Sequence, residues 1–151
     1  MENKDFAVFI LTHGRPDNVK TLPTLKKHGY TGAIYFVIDN EDATAEKYRT
    51  NFGSSVVMFD KAEIEKKFDT CDNFNNRKTI THARNACFEI AEQLQIKYFI
   101  QLDDDYVDFR YKKNGSFDNI NKSDIKNLDK IFDLLLDYYK SIPALSIAFA
   151  Q

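Results

Sequence analysis

The most informative segment of the chain is Lys97-Tyr98-Phe99-Ile100-Gln101-Leu102-Asp103-Asp104-Asp105-Tyr106. Its first six residues are mostly aromatic or aliphatic, which is typical of a strand that is buried in a parallel sheet. In open sheets of this kind, ligands bind at the carboxyl ends of the strands. The sequence therefore predicts that the three carboxylates at the end of the segment lie where a ligand is held.

The spacing of the three carboxylates predicts which of them share a side of the backbone. An extended chain turns Asp103 and Asp105 to one side and Asp104 to the other. Two carboxylates that converge on one side suit a hard divalent cation such as Mg²⁺ or Mn²⁺, which can in turn hold a diphosphate. A solvated acidic turn is the alternative interpretation, and the triplet alone does not decide between the two.

Apolar runs that alternate with helical patterns fill the rest of the chain. Further strands are predicted at residues 6–11, 33–38, 55–60 and 144–151, and loops at 69–78 and 107–117. Helices are predicted from near Pro23 to Gly29, over residues 42–51 and 62–68, from Thr79 or Thr81 to Leu94, and from Asn121 or Ser123 to Pro143. The alternation predicts one domain over residues 1–151, an α/β three-layer α/β/α sandwich with a mostly parallel, Rossmann-like sheet.

Composition and charge exclude several classes of protein. A hydrophobic fraction of 43% with 29% charged residues is typical of a soluble globular domain, and a net charge of −2 gives no basic field for wrapping nucleic acid. No apolar run reaches membrane-spanning length, and residues 1–5 do not resemble a signal peptide. Cys71 and Cys87 are isolated, which predicts reduced thiols in a cytoplasmic protein.

Four motifs, taken in order, resemble the nucleotide-sugar-binding half of GT-A fold glycosyltransferases. They are Thr12-His13-Gly14-Arg15-Pro16 after the first strand, Asp39 after the second, Ala83-Arg84-Asn85 at the start of a helix, and Leu102-Asp103-Asp104-Asp105 at the end of the next strand. The last two resemble the Ala-Arg-Asn and Asp-x-Asp elements of family-2-like enzymes. A lesser resemblance is to the phage and bacterial glycosyltransferases associated with modified DNA bases.

The resemblance implies a role for each matching residue outside the triplet. Thr12 and Arg15 would contact the nucleotide from the first loop. Asp39 would accept a hydrogen bond from the imide of the base. Arg84 would lie near the base and the diphosphate, where it could stabilise the charge on the leaving group.

For the acidic triplet, the resemblance implies metal binding by Asp103 and Asp105, with Asp103 also close to the ribose and Asp104 part of the nucleotide-sugar site. The cofactor would be Mn²⁺ or Mg²⁺, and a UDP-sugar is the favoured donor. A divalent ion on the diphosphate neutralises charge that builds on the leaving nucleotide. The acceptor is not specified; the lesser resemblance allows a nucleic acid, which the net charge of −2 does not support.

The resemblance covers a donor-binding half, so we expect this chain to be the amino-terminal part of a longer glycosyltransferase. In such enzymes the acceptor cleft and any catalytic base usually follow the Asp-x-Asp strand, and we expect the general base to be absent from this chain. The predicted last strand leaves an apolar face uncovered. An uncovered strand at a sheet edge favours pairing with another chain, so the alternative to a fragment is a short protein that completes itself by self-association through this strand.

Two other functions remain open. The segment from Asp103 to Val107 satisfies the Asp-x-Asp-x-Val signature of haloacid-dehalogenase-type phosphatases, with Asp103 as the nucleophile. In that family the motif usually ends the first strand, whereas here it follows three predicted strands. The other alternative is a non-catalytic nucleotide-binding module.

Several of the singled-out residues also have structural interpretations. Asp39 can cap a turn, Thr12 can satisfy a backbone group, and Arg15 can be a surface residue. The three histidines of the chain lack the spacing of metal ligands. Of these, His28 has the position of a cation at a helix end, and His82 lies one turn into the helix that would face the nucleotide.

Overall fold

The computed structural model describes residues 4–68, 80–111 and 125–149. Its strands and α-helices are, in chain order, β1 (Phe6–Leu11), α1 (Thr21–Lys27), β2 (Ala33–Asp39), α2 (Ala45–Phe52), β3 (Val56–Phe59), α3 (Lys61–Glu65), α4 (Thr81–Gln93), β4 (Tyr98–Asp103) and α5 (Leu128–Ser141). This alternation confirms the predicted α/β class. None of the helices in the described residues combines the length and the apolar character that a membrane span requires.

The described strands form one parallel sheet in the order β3-β2-β1-β4. Leu11, at the end of β1, pairs with Val37 of β2 on one side and with Asp103 of β4 on the other. Asp39, at the end of β2, pairs with Phe59 of β3. All four strands therefore end at the same edge of the sheet, which we call the carboxyl edge.

Helices cover both faces of the sheet, so the domain is a three-layer α/β/α sandwich of the Rossmann-like type. On one face Leu25 of α1, Tyr48 of α2 and Phe132 of α5 belong to one buried apolar cluster with the strands. On the other face Ile64 of α3 and Ile90 of α4 belong to a second cluster. The sheet thus separates two cores, as the sequence predicts for this fold class.

Strand β1 lies at the centre of both cores, and all six of its residues are buried. Val8 points into the first cluster and Phe9 into the second, where the Phe9 ring stacks on that of Phe99 with the centroids 5.0 Å apart. A strand that is covered on both faces has no polar side. This is why residues 6–11 are a continuous apolar run.

Helix α1 accommodates a proline in its first turn and ends at a glycine. Pro23 is in the first turn, where backbone N–H groups have no acceptor within the helix, so its missing N–H costs nothing. Gly29 takes a φ of +82°, its N–H donates to the Lys26 carbonyl, and the Tyr30 N–H donates to the Leu25 carbonyl. These two bonds form a Schellman motif, which confirms Gly29 as the predicted helix stop.

The predicted caps of the two longest helices need correction. Thr81 is the first residue of α4 rather than its cap; Ile80 occupies the cap position and makes no side-chain capping bond. Helix α5 is capped by Asn127, whose side chain accepts from the Lys130 N–H at 3.0 Å. The Leu128 N–H donates to the His28 carbonyl at 2.9 Å, so the helix begins where it meets the end of α1, which is later than predicted. Thr79, Asn121, Ser123, the loop 69–78 and most of the loop 107–117 lie outside the described residues.

The prediction of a last strand is wrong for residues 144–149, which join no ladder of the sheet. The Tyr139 hydroxyl donates to the Leu145 carbonyl at 3.1 Å, and the Phe149 ring lies 6.0 Å from that of Phe132. These contacts direct the chain back along α5 after Pro143 instead of into the sheet. Self-association through a carboxyl-terminal strand therefore loses its structural basis in this segment.

We predict that Gly29→Ala destabilises the domain by more than the roughly 1–2 kcal/mol expected for a non-glycine residue at positive φ. A Cβ atom at position 29 would lie 2.7 Å from the Lys126 carbonyl oxygen, which belongs to the segment before α5. Urea unfolding measures the loss. Gly14→Ala is the control, because its φ is +70° and a Cβ there meets nothing within 4 Å. Equal losses in the two variants would contradict the steric argument.

Candidate functional site

The carboxyl edge brings together the residues that the sequence singles out. Thr12 and Arg15 follow β1, and Asp39 ends β2. The acidic triplet ends β4, and Arg84 lies in the first turn of α4. This placement agrees with the predicted geometry, while the role of each residue remains a prediction.

The carboxylate of Asp104 is the buried centre of this edge, with a relative exposure of 1%. Thr12 Oγ1 donates to Asp104 Oδ2 at 2.6 Å, and Arg15 Nη2 lies 2.8 Å from Asp104 Oδ1. The second contact has the distance of an ion pair but not the angle of a hydrogen bond. A buried charge requires such pairing, so the triplet and the loop after β1 are held together.

Tyr48 supports this pairing from α2, and its side chain is fully buried. Its hydroxyl accepts from the Arg15 backbone N–H at 2.9 Å and lies 2.7 Å from Thr12 Oγ1. Because the Thr12 hydrogen is directed to Asp104, Tyr48 is the donor to Thr12. Burial raises the pKa of Tyr48, so the phenol keeps the proton that this arrangement needs.

The sequence did not identify Tyr48, because the predicted helix over residues 42–51 is mostly polar and suggested no buried face. One signal was available: Tyr48 is an aromatic residue within an otherwise polar segment. Such a residue marks the side of a short helix that faces the sheet.

A second group of polar side chains surrounds the end of β2. His13 Nδ1 lies 2.7 Å from Asp39 Oδ2, and the Glu41 N–H donates to Asp39 Oδ1 at 3.1 Å. The buried Lys61 places its ammonium group 3.5 Å from the same Oδ1 atom. The contact with Glu41 shows that Asp39 does cap a turn, in agreement with its structural interpretation.

Asp42 fixes the loop after β1 to the turn after β2. Its Oδ2 accepts from the Gly14 N–H at 2.8 Å, and its Oδ1 accepts from the N–H and the hydroxyl of Thr44 at 2.7 and 2.6 Å. Burial by itself would raise the pKa of Asp42. The hydrogen bonds from Thr44 and Gly14 outweigh burial and hold that pKa below its usual value.

The backbone of the acidic triplet is fixed by Thr21, a fully buried residue at the start of α1. Its hydroxyl donates to the Asp103 carbonyl at 2.6 Å and accepts from the Tyr106 N–H at 2.9 Å. Its N–H donates to the Asp104 carbonyl at 3.1 Å. Strand β4 ends at Asp103 and residues 104–105 form a turn, so the extended backbone assumed in the prediction does not continue through the triplet. Asp104 is buried, whereas Asp105 is exposed and Asp103 is 40% exposed.

Arg84 links the amino end of α4 to the triplet, with Nη2 donating to Asp103 Oδ1 at 3.1 Å. A cation in the first turn opposes the helix dipole, so it needs a negative partner there. Asp103 supplies one. Both side chains remain about two-fifths exposed, at 43% and 40%, and are accessible to a ligand.

The donor set at this edge fits Mg²⁺ or Mn²⁺ bound together with a phosphorylated ligand. Within residues 4–68, 80–111 and 125–149, His, Cys, Asp and Glu side chains form no metal-binding group of three or more. Asp103 and Asp105 offer two exposed carboxylates. Mg²⁺ in proteins typically takes one or two carboxylates plus water and substrate phosphates, so the type and number of these side chains are compatible with such an ion.

The other two histidines, His28 and His82, are buried. His28 is at the end of α1, as predicted, but is 1% exposed; Nδ1 lies 2.5 Å from the Ile125 carbonyl and Nε2 lies 2.8 Å from Asp108 Oδ1. It therefore joins three segments instead of facing solvent. His82 is fully buried, and its ring lies 5.6 Å from that of Phe68.

Comparison with known proteins shows to which family the chain belongs. The family model of TET-associated glycosyltransferases matches residues 6–151, from the first residue of β1 onward. The chain belongs to this family. No curated protein and no solved structure matches the chain. Membership favours a glycosyltransferase over a phosphatase that would use Asp103 as its nucleophile.

We predict that Tyr48→Phe lowers the free energy of unfolding by about 1–2 kcal/mol, because Thr12 and the Arg15 N–H both lose a buried partner. Thermal and urea unfolding measure the effect. Tyr138→Phe is the control, since that ring is 58% exposed on α5. A loss in the control as large as that in Tyr48→Phe would contradict the assignment.

The lowered pKa of Asp42 predicts the pH dependence of stability. Its ionised form contributes stability above the ordinary carboxylate pKa of about 3.9, and this contribution is lost as the pH falls through the lower folded pKa. Asp42→Asn should therefore cost about 1–3 kcal/mol near pH 7 and progressively less below about pH 4. Urea unfolding from pH 3 to pH 7 tests this, with exposed Asp137→Asn as the control. A difference from the parent that stays constant with pH would refute it.

Proposed function

We propose that this family member transfers a sugar from a nucleoside-diphosphate donor, and that the donor binds at the carboxyl edge. The observation that carries the proposal is the Arg84–Asp103 pair at the amino end of α4. It combines an accessible cation, a helix amino end and accessible carboxylates at the edge where parallel sheets bind ligands.

The diphosphate is assigned to the side of this edge formed by β4 and α4. Arg84 and the first-turn N–H groups of α4 attract an anion, and Arg15 adds a second guanidinium that is 53% exposed. Asp103 and Asp105 would hold Mn²⁺ or Mg²⁺, which when bound supplies Lewis-acid stabilisation to the diphosphate. Asp104 is turned inward and holds the loop that carries Arg15, so we assign it a positioning role.

In the transfer step, an acceptor hydroxyl oxygen bonds to the anomeric carbon and gives up its proton to a base or to water. The bond between that carbon and the diphosphate oxygen breaks, and its electrons remain on the diphosphate. Negative charge therefore grows next to Arg84. A guanidinium that is already in place stabilises this charge without reorganisation, and this is the contribution to the rate that we assign to Arg84. The same residue binds the donor before the bond breaks, so its loss should affect both binding and rate.

The nucleoside is assigned to the side of the edge formed by β1 and β2. The ends of β2 and β4 lie on either side of β1, which separates Asp39 from Asp103 by roughly 10 Å at the usual spacing of strands. A nucleoside diphosphate can span this separation, with its base near His13 and Asp39 and its phosphates near Arg84.

For the acceptor, we propose a hydroxyl group on a modified DNA base. The support is the association with TET in the family's name and the resemblance to glycosyltransferases associated with modified DNA bases. The net charge of −2 means that contacts with a nucleic acid would be local rather than spread over the surface.

Donor binding is tested by a thermal-shift and calorimetric titration with UDP, with and without Mn²⁺. At a hundredfold its dissociation constant, UDP should stabilise the domain by about 2.7 kcal/mol. Asp105→Asn should abolish the Mn²⁺-dependent part and leave the melting temperature without ligand nearly unchanged, because Asp105 is exposed. Asp137→Asn on α5 is the matched control. Equal affinity of the parent for UDP with and without Mn²⁺ would refute the metal dependence.

A further inference from the structure

The resemblance assigns the Asp39 carboxylate to a contact with the nucleobase, but both oxygens of this carboxylate already have partners within the protein. Asp39 Oδ1 accepts from the Glu41 N–H and faces the Lys61 ammonium group, and Asp39 Oδ2 is 2.7 Å from His13 Nδ1. The Asp39 side chain is only 8% exposed. A ligand that approaches this end of the carboxyl edge therefore meets the group in front of Asp39 first.

That group is the imidazole of His13, whose side chain is 56% exposed. An ionised carboxylate only accepts hydrogen bonds, so the short contact places a hydrogen on His13 Nδ1. Asp42 Oδ2, 3.8 Å from the same nitrogen, favours this arrangement further. In the neutral ring, Nε2 then carries a lone pair and is a hydrogen-bond acceptor.

We infer that His13, held in one tautomer by Asp39, binds the imide N–H of the nucleobase and makes the site selective for uracil or thymine over cytosine. Uracil and thymine carry a hydrogen on N3, which Nε2 can accept. Cytosine has a lone pair on N3, so the two acceptors would face each other without a hydrogen between them. This inference rests on the proposed function, since it concerns the base of the proposed donor.

The position of His13 agrees less well with a role as a general base than with recognition of the nucleobase. An Asp–His pair with an accessible Nε2 is also the arrangement of a general base. The sugar, however, is attached to the diphosphate, which we assign to β4 and α4 on the far side of β1. His13 lies at the opposite end of the bound nucleotide, where the base is.

The experiment is calorimetric titration of the parent with UDP and CDP in the presence of Mn²⁺, at pH 8, above the ordinary titration range of histidine. UDP should bind about ten- to a hundredfold more tightly than CDP, the range expected for one hydrogen bond against one unpaired acceptor. His13→Phe keeps a flat ring but removes the acceptor, and His13→Gln offers both a donor and an acceptor. Both variants should reduce the preference to within about twofold of unity.

Two further variants separate direct from indirect effects. Asp39→Asn should weaken the preference without abolishing it, because its side-chain oxygen can still accept from His13 Nδ1. Tyr138→Phe, on the exposed side of α5, should keep the full preference. A thermal melt of each variant without ligand verifies that the fold is intact.

The outcomes distinguish this inference from the proposed function. If UDP and CDP bind the parent equally, or if His13→Phe keeps the preference of the parent, base recognition by His13 is refuted while donor binding stands. If His13→Phe keeps the preference, Asp39 is again the candidate for the direct partner of the imide. If neither diphosphate binds the parent, the proposed function fails and this inference fails with it.

Discussion

The carboxylate of Asp104 is the constraint on which the carboxyl edge depends. It is buried, so it must be paired, and its partners Thr12 and Arg15 both come from the loop after β1. Tyr48 then pairs with the same loop from α2. One buried charge thus connects three segments that are distant in sequence, and it fixes the loop that carries His13.

Buried and exposed polar side chains have different roles at the carboxyl edge. Asp104, Asp42 and Thr21 are buried, and each ties a loop to a neighbouring element. His13 and Asp105 are exposed and remain available to a ligand. Packing and hydrogen bonds hold the buried side chains in place. The buried side chains in turn position the exposed ones, whose ligand-binding atoms stay accessible.

Much of the fold was predictable because local patterns agree with the tertiary structure. The run at residues 6–11 is a strand with the predicted limits, and Gly29 ends α1 as predicted. The predictions failed where the outcome depends on a distant contact. Residues 144–149 have the composition of a strand, yet contacts with Tyr139 and Phe132 of α5 keep them out of the sheet. Asn127 caps α5 in place of the earlier candidates, because the helix starts where it meets the end of α1.

Local sequence patterns were enough to predict the α/β class, the order of the strands along the chain and the group of residues that meets at the carboxyl edge. The reason is that hydrophobic periodicity fixes strands and helices, and parallel strands must end at a common edge. Which polar side chains are buried supports and which are accessible to a ligand depends on contacts that form only in the folded chain. Asp104 and Asp105 are neighbours of the same type, yet one is enclosed by Thr12 and Arg15 and the other faces solvent. Burial and pairing depend on residues some 90 positions away, and no local pattern contains that information.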